Sequence, residues 1–462
     1  MLALGGLAGV AVLGIALIGL DVSPEIIVAI LAAGIAIPFL VLRPDVGVHL
    51  FIATIYVENL VYADRSLTAV KLAGAVIFAG WFLNVAVNRR INLKVGPIIL
   101  LMLAFLGWNA LTIMYAFDAD LAVAPVLTFL QLGVAMCMVG SVIDSVEKVR
   151  GIYRAIVFWT TIAAAHGITL YALGLRETSA GVVLNRNAMA TYLDIAIVCA
   201  YILYQMSPSA GERLWLLIAL PILFLGLALT FSRTGYITLV VVFVLISYRL
   251  AKTRGYLVLG ATAAMLILIS AFLPETFYKR VESIIPSVRH QEETFGIRVE
   301  LWKAGVKMIR DHPIVGVGPG NFLKVLARYG QGMLLNRRQL ASHNSYVGIA
   351  AEAGIPALTL YLLLCAAAIR EAGLAARALK RESEIIGLQA IAVEISIVVM
   401  LIAGLSGNIE KQKYLYIFFG IALSLGRLAR QSAVRGEAPV VSPEAVTEER
   451  AGLDAATVGG RE

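Results

Sequence analysis

The sequence predicts an all-α polytopic integral membrane protein, and three observations support this fold class. First, 60% of the 462 residues are hydrophobic and only 15% are charged, whereas soluble domains are about half apolar and about a quarter charged. Second, the mean hydropathy is +0.86. Third, the apolar residues gather into runs of about 18 or more, the length that a helix needs to cross a bilayer. This pattern excludes an ordinary soluble protein.

Hydrophobic runs of spanning length each predict one transmembrane helix, and we expect about 12–14 of them. The last three follow the largest polar segment, and the others precede it. In chain order the runs are 3–20, 25–42, 46–61, 68–87, 97–115, 121–143, 151–173, 187–206, 213–230, 235–250, 254–273, 344–369, 385–405 and 413–429. No basic region of a cleavable signal peptide opens the first run, so we expect it to remain as a span.

The net charge of +8 and the three cysteines say little about partners. Cys137, Cys199 and Cys365 lie inside apolar runs, which is typical of small core side chains and not of a disulfide framework or a metal site. Most basic residues flank membrane segments in short loops, which does not indicate binding to nucleic acid.

The distribution of basic residues predicts the orientation of the chain in the membrane. With the N-terminus inside, eighteen Lys and Arg residues lie on the inside against seven on the outside, as the positive-inside rule requires. The inside residues are Arg43, Arg89, Arg90, Lys94, Lys148, Arg150, Arg154, Arg213, Arg249, Lys252, Arg254, Arg370, Arg377, Lys380, Arg381, Arg427, Arg430 and Arg435. The outside residues are Arg65, Lys71, Arg176, Arg186, Arg233, Lys411 and Lys413.

In this orientation, residues 274–343 form one large loop outside the cell, and its centre predicts an amphipathic helix. The apolar stripe is Phe295, Val299, Trp302, Val306 and Ile309, with Arg298, Lys303, Lys307 and Arg310 on other faces. His312-Pro313 ends the helix, because a proline disfavours helix in the residue before it. We therefore expect a helix bundle at 1–273, the loop at 274–343, further spans at 344–429 and a polar, disordered tail at 430–462.

Three side chains at the outer ends of spans predict a site on the external face. Arg186 and Arg233 each open a hydrophobic run, and His343 precedes another. Two guanidinium groups suit a pyrophosphate, because their planar forks make charge-assisted hydrogen bonds to phosphate oxygens. A near-neutral histidine suits a general base. The alternative is that the arginines are ordinary snorkelling side chains and that His343 is a helix-start residue capped by Ser342.

Other polar motifs leave more than one interpretation open. The segment from Gly316 to Phe322 superficially resembles a dinucleotide loop, but it follows a helix and a proline instead of a strand. It is either a structural turn or a reversal that brings backbone close to a ligand. Asp118 and Asp120 form an acidic pair that is a weak alternative for holding a divalent metal. Acidic residues within or near spans also need partners, and these are Asp194, Glu352 and Glu394.

Three segments resemble the signature of the O-antigen ligase and O-antigen polymerase superfamily of bacterial envelope proteins. They are HPIVGVGPGNF at 312–322, HNSY at 343–346 and EAGIP at 352–356; the other spans match in number and hydropathy alone. The resemblance implies a multi-pass inner-membrane glycosyltransferase with a large periplasmic loop containing amphipathic helices and an active site that faces the periplasm. It also implies a glycan donor linked to undecaprenyl pyrophosphate, and no metal, nucleotide or other cofactor.

The resemblance also implies roles for individual residues. The paired periplasmic arginines of the superfamily match Arg186 and Arg233, and its loop histidine matches His343. In an inverting displacement, His343 would deprotonate an acceptor hydroxyl while the arginines stabilise the departing lipid pyrophosphate. Asn344 is expected to orient the imidazole. The substrate-binding candidates are Arg298, Asn344, Gly318, Gly320 and Asn321.

The resemblance does not identify the acceptor of the glycan. The superfamily includes ligases that transfer a glycan to lipid A-core, polymerases that extend the glycan, and protein O-oligosaccharyltransferases; we favour the ligase. The expected partners are the lipid-linked donor, a lipid A-core or glycan acceptor and the lipid bilayer. A polysaccharide flippase or exporter would spread ionisable residues through the depth of the bilayer, whereas the cations here cluster at the outer ends of spans. The sequence therefore favours an enzyme.

Overall fold

The computed structural model describes residues 36–57, 69–88, 93–180, 185–250, 293–330, 341–381 and 383–435, with a few isolated positions besides. Across these ranges the chain forms a short helix over Ala36–Leu42, thirteen further α-helices and no strand, so the all-α polytopic fold class is confirmed. The helices are α1 (Pro44–Val57), α2 (Ala69–Asn88), α3 (Pro97–Thr112), α4 (Ala119–Val142), α5 (Val146–Ala172), α6 (Arg186–Met206), α7 (Ala210–Ala228), α8 (Arg233–Leu250), α9 (Glu293–Asp311), α10 (Phe322–Tyr329), α11 (Ser345–Lys380), α12 (Glu384–Ala403) and α13 (Lys413–Arg435).

Many of these helices have the length and composition of membrane spans. Within the described ranges, seven are long and apolar enough to cross a bilayer. The pair Ala36–Leu42 and Pro44–Tyr56, bent by 120°, has the composition of either a broken span or a re-entrant loop. Eleven of the predicted runs, from 46–61 to 235–250 and from 344–369 to 413–429, fall on helices. The run 3–20, part of 25–42, nearly all of 254–273 and the tail from 436 lie outside the described residues.

Short connections make successive helices run in alternating directions, which sorts the helix ends into two groups. α3, α5, α7 and α12 begin at one end, and α6, α8, α11 and α13 begin at the other. At the first end, the Glu212 carboxylate pairs with Arg150 and accepts a hydrogen bond from Arg154 at 2.7 Å. We call this the basic end. The opposite end, which contains His343, is the His343 end.

The centre of the bundle is formed by α6 and α12. The side chains of α6 are buried on nearly every face against α5, α7, α8 and α12, as expected of a helix inside a large bundle. Asp194 of α6 is fully buried and accepts a hydrogen bond from the Thr238 hydroxyl at 2.5 Å. Glu394 of α12 pairs with Arg249 near the basic end. Both intramembrane acids therefore have structural partners on α8.

A break inside α11 receives the glycine-rich turn that follows α9. Gly354 has a φ of 83° within this helix, and Pro356 follows it, so carbonyls around the break lose helical donors. Donors from elsewhere replace them, namely Val317 N to Ala351 O (2.9 Å), Gly318 N to Glu352 O (2.8 Å) and the Trp108 indole to Ala353 O (2.8 Å). The turn is thereby hydrogen-bonded into the bundle.

The amphipathic helix predicted in the external loop is present as α9 and ends at Asp311, before His312. The predicted apolar stripe is offset from the buried face: Val306 is 49% exposed, whereas Ile309 is partly buried against the core of this contact. The residues of α9 that are buried are Ile297, Leu301, Ala304 and Met308. Gly305 allows α9 to approach α11 closely, because a Cβ at this position would lie 2.3 Å from Val347 Cγ1 of α11. α9 therefore packs on the start of α11 as a cap.

Candidate functional site

Three helix starts and one connection meet around a cavity of about 220 Å³ at the His343 end. α6 and α8 each begin with a half-buried arginine, Arg186 and Arg233, and α11 begins two residues after His343. The connection between α12 and α13 forms the remaining side. The polar residues that line the cavity are Asn185, Asn187, Thr191, Tyr192, Thr234, His343, Ser406, Asn408 and Gln412. Of the predicted catalytic residues, His343 lines the cavity. Arg186 and Arg233 begin the two helices whose next residues line it, and are not themselves lining residues.

The starts of α6 and α8 are fixed to each other by their capping residues. Asn185 caps α6, and its Oδ1 accepts from Asn187 N at 2.9 Å and from the next backbone N–H. Ser232 Oγ accepts from Gly235 N at 3.2 Å and donates to Asn187 Oδ1 at 2.8 Å. A Cβ at Gly235 would lie 2.6 Å from the Cβ of Ala190, so only glycine permits this approach. The first residues of the two helices, both arginines, are therefore held as neighbours.

Two residues in the segments that meet at the cavity have a strained backbone conformation. Among the described residues, Phe231 and His343 are the two non-glycine residues with positive φ, at 52° and 49°. Such a conformation costs about 1–3 kcal/mol and persists only where its surroundings hold it. Asn408 does so at His343, since its Oδ1 accepts from His343 N at 3.1 Å and its Nδ2 donates to Ser342 Oγ at 3.0 Å. We call this pair of bonds the Asn408 clamp.

The imidazole of His343 is half-buried and lines the cavity. Neither ring nitrogen hydrogen-bonds to any residue in the described ranges. Burial, and then the positive charge of Arg298 on α9, lower the pKa of His343 below its ordinary value. The ring is therefore neutral at pH 7, with a lone pair available to a hydroxyl that enters the cavity.

Asn344 has a structural role that the sequence did not predict. It is the N-cap of α11, and its Oδ1 accepts from Tyr346 N at 3.0 Å and from Val347 N at 3.1 Å. Its Nδ2 donates to Leu405 O at 3.2 Å. In the alternative interpretation of His343, Ser342 was the capping residue, and this part of the alternative is wrong. No bond from Asn344 to the imidazole is present. Contact of Asn344 with substrate stays a prediction.

The glycine-rich turn has the features of the structural alternative. Gly318 and Gly320 have φ values of 101° and 72°, which L side chains rarely adopt. Because these glycines have no side chain, the turn can approach its neighbours closely. A Cβ at Gly318 would lie 2.3 Å from the Cβ of Ala116, in the connection between α3 and α4. Asn321 is fully buried and donates to Asp118 O at 3.0 Å. These residues shape the wall between the turn and the bundle, and their contact with substrate stays a prediction.

A second cavity, of about 390 Å³, adjoins the first through Ala341 and Asn408, which line both. Its lining combines carboxylates, amides and aromatic faces, which are Glu352, Glu410, Asn109, Asn408, Phe129 and Phe322, with Lys411. The Glu410 carboxylate accepts from Ser345 Oγ at 2.7 Å. Lys411 Nζ lies 5.8 Å from the centre of the Phe129 ring. The lining offers hydrogen-bond acceptors and flat apolar faces rather than a cluster of cations.

Of the acidic pair at the start of α4, Asp118 is engaged in the fold and Asp120 is exposed in the first turn of the helix. Asp118 is the N-cap of α4, accepting from Leu121 N at 3.2 Å, and it pairs with Lys324 of α10. The bond to Lys324 is the main reason that the pKa of Asp118 is lowered. In the ranges that the structure describes, no group of three His, Cys, Asp or Glu side chains could hold a metal ion.

The sequence interpretation missed the residues that come from the connection between α12 and α13. Asn408 forms the clamp, Ser406 Oγ contacts Thr234 Oγ1 at 2.5 Å, and Gln412 accepts from the Tyr192 hydroxyl. This connection is short and polar, and nothing in its own sequence indicates which distant residues it meets. Its one local signal is the density of amide and hydroxyl side chains between two strongly apolar helices.

Residues 216–362 match a family model described as O-Antigen ligase. The matched range extends from α7 into α11 and includes Arg233, Arg298, the glycine-rich turn and His343, whereas Arg186 precedes it. The match confirms the resemblance to the O-antigen ligase superfamily and supports an enzyme of the ligase and polymerase type. Among curated proteins, none matches the chain.

Proposed function

Because the chain resembles the O-antigen ligase superfamily over the segment that carries His343, we propose that it is an inverting glycosyltransferase. It moves a glycan from an undecaprenyl-pyrophosphate donor to an acceptor hydroxyl at the periplasmic face of the inner membrane. The observation that carries the proposal is the 220 Å³ cavity at the starts of two helices that begin with arginine. It is lined by the His343 imidazole, which is neutral and makes no hydrogen bond within the described part of the chain.

The starts of α6 and α8, beside the cavity, suit a pyrophosphate. Arg186 and Arg233 supply two guanidinium groups that can pair with phosphate oxygens. The N-termini of α6 and α8 add backbone N–H groups and the positive ends of two helix dipoles, which favour an anion. In membrane proteins, helix starts of this kind are a common way to hold an anionic substrate group. These two helix starts would therefore neutralise the departing lipid pyrophosphate.

His343 suits the general base. It takes the proton of the acceptor hydroxyl as that oxygen forms a bond to the anomeric carbon of the donor. The bond from the anomeric carbon to the pyrophosphate oxygen breaks, and its electron pair leaves with the lipid pyrophosphate. A positioned base contributes about 10²–10⁴ in rate, and the lowered pKa of His343 keeps it unprotonated at neutral pH.

The second cavity suits the acceptor glycan. Carboxylates and amides accept hydrogen bonds from sugar hydroxyls, and the faces of Phe129 and Phe322 suit the apolar faces of sugar rings. Its volume of about 390 Å³ is that of an ordinary ligand site. Because Ala341 and Asn408 line both cavities, an acceptor bound here ends beside His343.

A metal ion is not required by this arrangement. Positive charge at the leaving group comes from the arginines and the helix starts, and the Asp118 carboxylate is already paired with Lys324. We expect a chelator to leave turnover unchanged, and Asp118→Asn with Asp120→Asn to retain activity. Chelator-sensitive turnover would instead favour a metal at the leaving group.

The acceptor defines three versions of this function. The same site serves a ligase that uses lipid A-core, a polymerase that extends the glycan and a protein O-oligosaccharyltransferase. We favour the ligase. A flippase or exporter is the candidate of another class, and it would move the donor across the bilayer without breaking the bond to pyrophosphate.

Proteoliposomes with a labelled undecaprenyl-pyrophosphate glycan distinguish these functions. The proposal requires transfer of label to an added acceptor and release of the lipid pyrophosphate; lipid A-core, free glycan and protein are compared as acceptors. Arg186→Lys and Arg233→Lys should each lower transfer about tenfold to hundredfold, since a charge-assisted hydrogen bond contributes about 1.5–3 kcal/mol. Arg176→Lys, at an exposed arginine of the same end, is the matched control. Translocation of intact donor without transfer would contradict the proposal.

The proposed orientation has a separate test. Cysteines introduced at Glu177 and Ser209 lie in exposed connections at the His343 end and the basic end. In intact cells made permeable at the outer membrane, a membrane-impermeant thiol reagent should label position 177 and not position 209. Labelling of 209 alone would reverse the orientation and place the arginines and His343 on the cytoplasmic side.

A further inference from the structure

A cavity of about 450 Å³ lies at the basic end, far along the bundle from His343. Three helices form it: the start of α3, the second half of α11 and the second half of α13. Its apolar wall consists of Leu93, Val95, Pro97, Ile98, Leu101, Leu363, Ala366, Ala367 and Leu423. Ala366 and Ala367 of α11 contribute shorter side chains to this wall than Leu363 does. We call the part of the cavity beside these two alanines the groove.

The rim of this cavity is basic. Four cations and one carboxylate line it, namely Lys94, Arg370, Arg427, Arg430 and Glu371. Arg430 pairs with Glu371, and Arg427 donates to Gly140 O at 3.0 Å. Lys94 and Arg370 are exposed, and their side chains make no hydrogen bond or ion pair with any residue that the structure describes.

The cavity opens towards the hydrocarbon. Leu363 on its wall is 49% exposed and Val95 is 73% exposed. On the same helices, Leu100 and Leu103 are more than half exposed, as expected of side chains that face lipid. An occupant must therefore present an apolar body to the wall and to the bilayer, and an anionic group to the basic rim at the membrane surface.

We propose that this cavity binds an anionic phospholipid of the leaflet at the basic end, with the phosphate between Lys94 and Arg370 and an acyl chain in the groove over Ala366. Basic pockets between transmembrane helices on this side of a membrane hold such headgroups. α3 begins at Pro97, with Gly96 as its N-cap, so the later residues of its first turn add backbone N–H groups beside the phosphate. The site is independent of the glycan-transfer proposal, since none of its residues lines either cavity at the His343 end.

Native mass spectrometry of the full chain in a non-ionic detergent tests this site. The protein is titrated with phosphatidylglycerol or with phosphatidylcholine of the same acyl chains. Phosphatidylglycerol should bind more tightly, and Lys94→Gln with Arg370→Gln should weaken it roughly 30-fold, since each cation near the headgroup contributes several-fold. Arg377→Gln with Arg381→Gln removes the same charge from the same end of α11 outside the cavity and should change binding less than threefold.

A second variant tests the apolar wall. Ala366→Trp keeps every charge and fills the groove, so it should weaken binding of phosphatidylglycerol as the charge variant does. Excess inorganic phosphate should not displace the bound lipid. Equal binding of the two lipids, equal losses in the two double variants, or displacement by phosphate would each overturn the proposal. An unchanged melting temperature of the variants shows that the losses are local.

Discussion

Asn408→Ala is the variant that most sharply tests how the fold positions His343. The Asn408 side chain makes both bonds of the clamp, to His343 N at 3.1 Å and to Ser342 Oγ at 3.0 Å. The clamp holds His343 at a φ of 49°, a conformation that costs about 1–3 kcal/mol. Without it the turn relaxes, and the fraction of molecules with a competent imidazole falls about 5- to 150-fold. Turnover should fall by this factor.

The assay is glycan transfer by purified protein at saturating donor, together with the melting temperature. KM for the donor should change little, because Arg186 and Arg233, which are proposed to bind the donor pyrophosphate, are unchanged in this variant. Asn84→Ala is the matched control: Asn84 donates to Val41 O at 2.6 Å at the basic end, so it loses a comparable bond far from the site. Turnover of Asn408→Ala within twofold of wild type, in a protein of normal stability, would refute the clamp.

Asn408→Asp separates geometry from charge. The carboxylate still accepts from His343 N, so turnover at high pH should be closer to wild type than in Asn408→Ala. Its negative charge stabilises the imidazolium and raises the pKa of His343. The acid limb of the pH–activity profile should therefore move to higher pH. A limb that stays where it is in wild type would mean that a group other than His343 titrates there.

Two further predictions address charge and packing. Arg298→Ala removes the second cause, after burial, of the lowered pKa of His343, so the acid limb of the pH–activity profile should move up towards about 6.5; an unmoved or lower limb would contradict this assignment. Gly354→Ala places a Cβ 1.8 Å from Ile314 O at a φ of 83°, so the melting temperature should fall strongly, whereas Gly74→Ala, with nothing within 4 Å of its Cβ, should not lower it.

The parts of the fold that depend on local sequence were predictable. Apolar runs of spanning length predict helices because a backbone inside a bilayer must satisfy its own hydrogen bonds. The starts of α6 and α8 follow from local caps, since Asn185 and Ser232 each accept a backbone N–H from the first turn that follows. Arg186 and Arg233 could therefore be placed at helix starts before their neighbours were known.

The parts that depend on distant contacts were not predictable. The buried face of α9 is set by how closely Gly305 approaches α11, which bulk and periodicity in α9 do not reveal. The clamp joins His343 to Asn408 across 65 positions, and no local pattern links them. Asn344 looked like a partner for the imidazole by adjacency, but an asparagine before a helix is more strongly drawn to the N-cap.

The most direct test of the central claim is transfer by purified His343→Ala, with His166→Ala, at an exposed histidine of α5, as the matched control. Loss of a general base should lower turnover about 10²–10⁴-fold while donor binding is kept. The control should retain full turnover, and a chelator should leave the wild type unaffected. Turnover of His343→Ala near that of wild type, or chelator-sensitive turnover that survives the substitution, would contradict the mechanism in which His343 is the base.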